Sequence, residues 1–182
     1  MPPSGEIRTD SPRTVRKTLR CALAVAASIP LVCGAAACGK LDVPSRGGRV
    51  VAVVDGDTIV VAGVGAVRYI GIDTPELHHP RKPLQRMARA ALRANRALVG
   101  GRRVRLVVGR EAHDAYGRTL AYVYVGDTMI NADLVRRGLA RTLPIAPNTL
   151  HAAAFAGLER RARLLGLGLW GSGEGGPPWG IP

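Results

Sequence analysis

The sequence predicts a small closed β-barrel that carries about three α-helices, an α+β fold. Five short runs of β-branched and aliphatic residues follow one another closely, and turns containing Gly or Asp separate several of them. Three other segments have the apolar spacing or the capping residues of helices. Hydrophobic residues make up 47% of the chain and aromatic residues only 4%, so the core must be mainly aliphatic.

The first three predicted strands follow one another with short connections. Residues 49–54 and 58–62 are rich in Val and Ile, and the turn between them is Asp55-Gly56-Asp57. A second turn at residues 63–65 leads into the third predicted strand, residues 66–72. Such close spacing predicts a β-meander.

The first predicted helix covers residues 84–99, whose apolar side chains share one face while four arginines lie largely off it. Gly100-Gly101 ends that helix. Residues 102–108 alternate Arg with aliphatic residues, and residues 119–125 are β-branched and aromatic, so both are predicted strands.

Two shorter helices are predicted from capping residues. Asn131 is predicted to cap a helix that runs to Arg137, before Gly138. Asn148 or Thr149 is predicted to cap a last helix that ends near residue 165. Five short strands with inserted and appended helices favour a five-stranded OB-fold barrel, which often presents a nucleic-acid-binding face.

The chain divides into four predicted parts. Residues 1–38 are a predicted signal peptide, residues 39–48 a polar linker with Gly and Pro, and residues 49–171 the folded domain. Residues 172–182 form a Gly/Pro-rich tail that is predicted to be disordered.

The amino-terminal segment predicts export from the cytoplasm. Basic residues precede an apolar run from Cys21 to Cys38, which Pro30 interrupts and which ends in Ala35-Ala36-Ala37-Cys38. The run is short for a membrane span, so a cleaved signal is favoured over a retained anchor. Cleavage near Ala37 would release the protein. The alternative is a lipoprotein anchored through Cys38, although Ala35 is an imperfect match to a lipobox.

The charge of the chain favours a polyanionic partner. Basic residues number 26 and acidic residues 13, which gives a net charge of +13, and most of the basic residues follow the predicted signal. A basic protein without such a partner is the alternative. The three cysteines all lie within the first 38 residues, so no disulfide is expected inside the folded domain. No feature of the sequence implies a protein partner, and a monomer is expected.

Two acidic segments are candidates for a metal site. Asp57 lies in the first turn and Asp73 at the end of the third predicted strand, and neighbouring strand ends can bring their carboxylates together. Two hard oxygen donors, a backbone carbonyl and waters suit Ca²⁺. The domain has no cysteine and no pair of histidines at zinc spacing, so zinc is not expected.

Two arginines and one further carboxylate complete a set suited to phosphodiester hydrolysis. Arg68 precedes Asp73 by five residues, and Arg118 follows the loop Asp114-Ala115-Tyr116-Gly117. Guanidinium groups and a cation stabilise the charge that grows on phosphate, and a carboxylate such as Glu76 can act on water. The odd spacing of Arg68 and Asp73 would place them on opposite faces of one strand, unless a bulge or the strand end intervenes.

The order of these segments resembles the staphylococcal nuclease (thermonuclease) family. The motifs are VVDGDTI at residues 53–59, RYIGIDTPE at 68–76, DAYGRTLAYVY at 114–124, MINADLVRRGLA at 129–140 and GLW at 168–170. Together they cover about residues 49–171, and five motifs in order make the resemblance specific.

The resemblance implies a role for each residue. Asp57 and Asp73 would be calcium carboxylates, with Thr74 adding its backbone carbonyl, and Asp55 would support them. Arg68 and Arg118 would bind phosphate, Tyr116 would contact the nucleotide phosphate, and Glu76 would activate or position water. The implied activity is calcium-dependent cleavage of DNA and RNA, with loss of the 5′ oxygen and 3′-phosphate ends.

Departures from the family's pattern leave nucleotide affinity open. Ala115 replaces a lysine, and Pro144 and Ala146 replace tyrosines. Two other classes of protein are alternatives: a non-catalytic nucleic-acid-binding module on the same fold, and a surface adhesion or structural protein. The first is disfavoured because every catalytic position is filled, and the second because it does not explain the five motifs.

Overall fold

The computed structural model describes residues 46–171. It contains eight strands, five of which close into a barrel. The predicted signal, the first residues of the predicted linker and the predicted tail lie outside this range. The strands are β1 (Arg46–Val53), β2 (Thr58–Val61), β3 (Gly65–Tyr69), β4 (Gly71–Asp73), β5 (Arg103–His113), β6 (Thr119–Val125), β7 (Thr128–Met129) and β8 (Arg141–Leu143). The helices are α1 (Lys82–Val99), α2 (Ile130–Arg136) and α3 (Ala152–Leu164), followed by a 3₁₀ turn at Gly168–Trp170.

The barrel follows the order β3-β2-β1-β5-β6, and a parallel pairing of β3 with β6 closes it. All its other pairings are antiparallel. This architecture confirms the predicted OB-fold barrel with three helices. β1 begins at Arg46, three residues before the predicted strand, so residues 46–48 pair with β5 instead of belonging to a linker.

The core is mainly aliphatic, although Tyr69 is also buried in it. Alternate residues of each strand point into the barrel. Its largest fully buried strand residues include Ile59, Val67, Leu106 and Val123. Helices α2 and α3 pack on each other beside the barrel and contribute Ile130, Leu134 and Phe155 to the same core.

The third predicted strand is wrong as a single element. The chain leaves the barrel after Tyr69, turns at Gly71, whose φ is +77°, and then forms β4. β4 pairs with β8 in a separate two-stranded sheet. A positive φ is readily adopted only by glycine, so Gly71 allows the strand to change direction here.

The predicted caps, Asn131 for α2 and Asn148 or Thr149 for α3, are also wrong. The residues that precede α2 and α3 are Met129 and His151, and neither helix has a side-chain cap. Asn131 is buried, where its amide donates to the carbonyl of Ile70 and its Oδ1 accepts from the amide of Val123. Asn148 instead bonds to the backbone of Glu111. Both side-chain amides form tertiary hydrogen bonds and therefore do not cap a helix.

None of the helices within residues 46–171 is long and apolar enough to cross a membrane.

Candidate active site

The turn between β1 and β2 places Asp57 beside the barrel. Oδ1 of Asp55 accepts a hydrogen bond of 3.0 Å from the backbone amide of Asp57. The side chain of Asn95, on α1, donates to the carbonyl of Asp55 at 3.0 Å and accepts from the hydroxyl of Tyr69. A Cβ at Gly56 would lie 2.7 Å from Ala91 of α1, so glycine permits this close packing of turn and helix.

The Asp57 carboxylate is buried and fully engaged. Its Oδ2 accepts from the backbone amide of Thr74 at 2.8 Å and from the Thr74 hydroxyl at 3.0 Å. Its Oδ1 forms an ion pair with Nη1 of Arg68. Burial raises the pKa of Asp57 to about 6, an effect that Arg68 opposes and the nearby Asp55 charge reinforces.

Asp73 lies between two arginines at the end of β4. Its Oδ1 is 3.0 Å from Nη2 of Arg68, and its Oδ2 is 3.0 Å from Nε and 2.9 Å from Nη2 of Arg141. Arg141 reaches it because Asp73 and Arg141 are direct partners in the β4–β8 sheet. The Arg68 guanidinium therefore joins the two predicted metal carboxylates, Asp57 and Asp73.

Arg118 is positioned by the loop between β5 and β6. Oδ1 of Asp114 accepts from the backbone amides of Tyr116 and Arg118, and its Oδ2 accepts from Nε of Arg118 at 2.7 Å. These bonds lower the pKa of Asp114, outweighing the effect of its burial. The Arg118 guanidinium also lies 5.4 Å from the centre of the Tyr116 ring. Asp114 thus fixes both the loop and the arginine.

A cavity of about 370 Å³ brings the two predicted phosphate-binding arginines together. Arg68 and Arg118 both line it, because the β3–β6 pairing that closes the barrel sets Arg68 opposite Leu120. Tyr116, which is 85% exposed, lies at the same cavity. The lining also includes Ile72, Glu111, Ala115, Leu143, Ile145 and Asn148.

Glu76 lies outside the cavity that contains the two arginines. It is exposed, three residues beyond Asp73 in the segment between β4 and α1. It does not line the cavity within the described part of the chain. Its exposed side chain is accessible to water.

The donor set fits a hard cation. Asp57 and Asp73 are linked through one guanidinium, and the raised pKa of Asp57 means that a neighbouring positive charge would stabilise its ionised form. Within residues 46–171, no three His, Cys, Asp or Glu side chains lie close enough together to hold a metal ion on their own. The two carboxylates would therefore need carbonyl and water oxygens to complete the coordination, as Ca²⁺ accepts.

Three residues of this region were not predicted from the sequence. Arg141 contacts Asp73, Asn95 supports the Asp55 turn, and Asp114 holds Arg118. Only Asp114 had a recognisable signal, since Asp four residues before Arg in a Gly-containing loop favours a local Asx turn. The other two depend on pairings that the sequence does not reveal.

The positions that depart from the family's pattern lie at or beside the cavity. Ala115 lines the cavity, and Ile145, which is 61% exposed, lies between the two replaced tyrosine positions. Pro144 and Ala146 are exposed. This wall of the cavity is therefore aliphatic in the present chain.

Comparisons with known proteins identify relatives of this domain. Residues 66–172 match the family described as staphylococcal nuclease homologue. The chain is 40% identical to the thermonuclease of Staphylococcus intermedius over 121 residues, which is 65% of this chain and 72% of that protein. It is 36% identical to the thermonuclease of Staphylococcus hyicus over 125 residues, covering 67% of this chain and 74% of the relative.

A Bacillus relative extends the comparison beyond the staphylococcal proteins. The SPbeta prophage-derived endonuclease of Bacillus subtilis is 38% identical over 122 residues, which is 64% of this chain and 41% of that longer protein. The family match, these identities and the closed barrel agree, and the chain belongs to the staphylococcal nuclease family.

Proposed function

We propose that this chain, a nuclease of the staphylococcal nuclease family, hydrolyses phosphodiester bonds of DNA and RNA with the help of Ca²⁺. The observation that carries the proposal is the position of Arg68, which contacts both Asp57 and Asp73 and also lines the cavity that contains Arg118. The proposed cation ligands and the proposed phosphate-binding groups are therefore contiguous. The names of the relatives, thermonuclease and endonuclease, support the same activity.

The two arginines would bind the phosphate. Each guanidinium offers a planar pair of donors that fits two phosphate oxygens, and such donors stabilise the charge that grows on them during attack. Arg118 is already oriented by Asp114. Tyr116, exposed beside Arg118, would contact the nucleotide phosphate.

Glu76 would accept the proton of the attacking water. A bond forms between the water oxygen and phosphorus, the bond from phosphorus to the 5′ oxygen breaks, and the 5′ oxygen takes a proton from solvent. One product then ends in a 3′ phosphate and the other in a 5′ hydroxyl. We expect little sequence preference, since recognition through phosphates carries no base information.

The proposed cation ligands are Asp57, Asp73 and the backbone carbonyl of Thr74, with Asp55 supporting the turn that carries Asp57. When bound, Ca²⁺ would supply positive charge that stabilises the transition state. Arg68 forms ion pairs with both Asp57 and Asp73, so the groups proposed to bind the cation also orient this arginine.

Digestion of plasmid DNA and of single-stranded RNA tests the proposal. We expect cleavage of both with Ca²⁺ and none with a chelator. End-labelling before and after phosphatase treatment should show 3′ phosphates. Cleavage that persists in chelator would contradict the calcium requirement, and binding without cleavage in Ca²⁺ would mark a non-catalytic module.

We further propose that the enzyme acts outside the cytoplasm, either released or anchored through Cys38. The support is the sequence alone: a basic segment, an interrupted apolar run and small residues before Cys38. The intact mass of the native protein distinguishes the two forms. A chain that starts at Cys38 with added lipid mass indicates anchoring, and an unmodified start nearby indicates secretion. An uncut chain from Met1 in the cytosol contradicts both.

A further inference from the structure

The exposed face of α1 carries a line of basic side chains. Every third or fourth residue from the start of the helix is basic and exposed, which places these residues on one face. This basic stripe consists of Lys82, Arg86, Arg89, Arg93 and Arg96. The opposite face of α1 is buried against the barrel and the Asp55–Asp57 turn through Leu84, Ala88, Ala91, Asn95 and Val99.

The stripe is not neutralised within its own helix, because α1 contains no acidic residue. Lys82, Arg89, Arg93 and Arg96 form no ion pair within residues 46–171. The other helices differ. Asp133 pairs with two arginines at the end of α2, and Glu159 pairs with Arg163 in α3.

This charge pattern is unfavourable for an isolated helix. Like charges three or four residues apart on a helix repel each other and destabilise it. Lys82 lies in the first turn, where the helix dipole disfavours a cation, and no acidic residue offsets it. A polyanion along the stripe would relieve both effects.

The dimensions of the stripe suit a nucleic-acid backbone. Lys82 and Arg96 are fourteen residues apart, which is about 21 Å along the helix axis. One strand of a duplex carries a phosphate about every 3.4 Å, so roughly six phosphates span this length. The stripe lies on the side of α1 that faces away from the Asp55–Asp57 turn. It would therefore contact nucleotides that lie outside the cavity.

We propose that the basic stripe is a second nucleic-acid-binding surface, which contacts the phosphate backbone at a distance from the scissile bond. The choice of nucleic acid as the partner rests on the proposed function. The stripe would raise the affinity for long substrates and leave the chemistry on short ones unchanged. Its contribution would weaken with salt, because each phosphate contact releases counterions.

A pair of charge-matched double variants tests the stripe. Arg89→Gln/Arg93→Gln removes two charges from it, and Arg160→Gln/Arg161→Gln removes two exposed arginines from α3. Binding to a labelled duplex is measured by fluorescence anisotropy in chelator, across about 50 to 200 mM salt. We expect the plot of log affinity against log salt to be less steep for the stripe variant, with the magnitude of its slope reduced by about 1.8. The control variant should leave the slope near that of the unmodified protein.

Two further measurements make the outcomes distinct. Hydrolysis of a dinucleotide in Ca²⁺ should be the same in both variants, and urea unfolding should show both folded. Equal slopes in the two variants would overturn the proposal. So would a stripe variant that binds duplex normally but loses binding to phosphatidylglycerol vesicles, which would indicate a membrane-facing surface. Stripe-dependent binding by a protein that cleaves nothing would support the stripe and overturn the proposed hydrolysis.

Discussion

Arg68 and Asp73 are five residues apart, yet Nη2 of Arg68 lies 3.0 Å from Oδ1 of Asp73. In one continuous strand this odd spacing would place the two side chains on opposite faces of the sheet. The positive φ of Gly71 interrupts the strand between them and turns β4 toward the same side. The contact between the arginine and the carboxylate therefore depends on a glycine that touches neither.

Replacing Gly71 with alanine should destabilise the fold and reduce activity. An added Cβ would lie 2.9 Å from the Phe155 ring, and the φ of +77° is strained for alanine. The strain costs about 1–2 kcal/mol, and crowding in a packed core adds about 1–3 kcal/mol. Urea unfolding measures the stability, and plasmid cleavage at a temperature where the variant is folded measures activity.

Gly63→Ala is the matched control for this change. Gly63 has a φ of +76°, but no atom lies within 4 Å of the Cβ that alanine would add. The Gly63→Ala variant should lose only the stability that the backbone strain costs, and it should keep full activity. Equal losses of stability in the two variants would argue against the role of Phe155.

Asp57→Ala should abolish calcium-dependent cleavage and leave the barrel folded. The change removes one of two carboxylates proposed to bind the cation and one partner of Arg68. Plasmid digestion over a range of Ca²⁺ concentrations, with circular dichroism for the fold, provides the measurement. Asp127→Ala, at an exposed turn, is the control and should retain activity. Normal cleavage by the Asp57→Ala variant would show that Asp57 is not a required ligand of the cation.

Arg118→Lys should lower the rate of cleavage by on the order of 10²-fold, the cost of losing one well-placed donor to a developing anion. Lysine keeps the charge but lacks the planar fork, and it cannot reproduce the Nε contact with Asp114. The measurement is kcat on a short single-stranded DNA. Arg160→Lys, on the exposed surface of α3, should cleave at the normal rate. A fully active Arg118→Lys enzyme would rule out bidentate binding at this position.

Acid should destabilise the protein in part through Glu159. Burial alone would raise the pKa of this group, but hydrogen bonds from Thr142 and Arg163 lower it overall. A lowered folded pKa gives stability that is present above the unfolded pKa, about 4.5, and is lost as pH falls through the folded pKa. Urea unfolding between neutral and acidic pH should therefore show a steeper loss for the unmodified protein than for Glu159→Gln. Identical pH dependence would contradict this assignment.

Sequence reasoning identified the barrel and the main candidate residues because both rest on local patterns. Short β-branched runs and Gly/Asp turns predict strands, and the motif order indicates Asp57, Asp73, Arg68 and Arg118. Their contacts in the structure place three of these four in one connected cluster, with Arg118 across the cavity.

Long-range pairing accounts for what the sequence did not predict. Arg141 reaches Asp73 only because β4 leaves the barrel and pairs with a strand 68 residues later. Asn131 has the local signature of a helix cap, but its amide instead joins Ile70 to Val123 inside the core. Such tertiary use of a polar side chain has no local periodicity, so a pattern of spacing cannot reveal it.

The parallel pairing of β3 with β6 links the recovery of activity to folding of the barrel. Arg68 lies in β3 and Arg118 immediately before β6, so the two arginines reach one cavity only after residues 52 apart in the chain have paired. Such non-local pairing is characteristically slow to form. During refolding, cleavage activity should therefore appear only when β3 and β6 have paired, and after the local β1–β2 hairpin has formed. The recovery of turnover would then report on closure of the barrel.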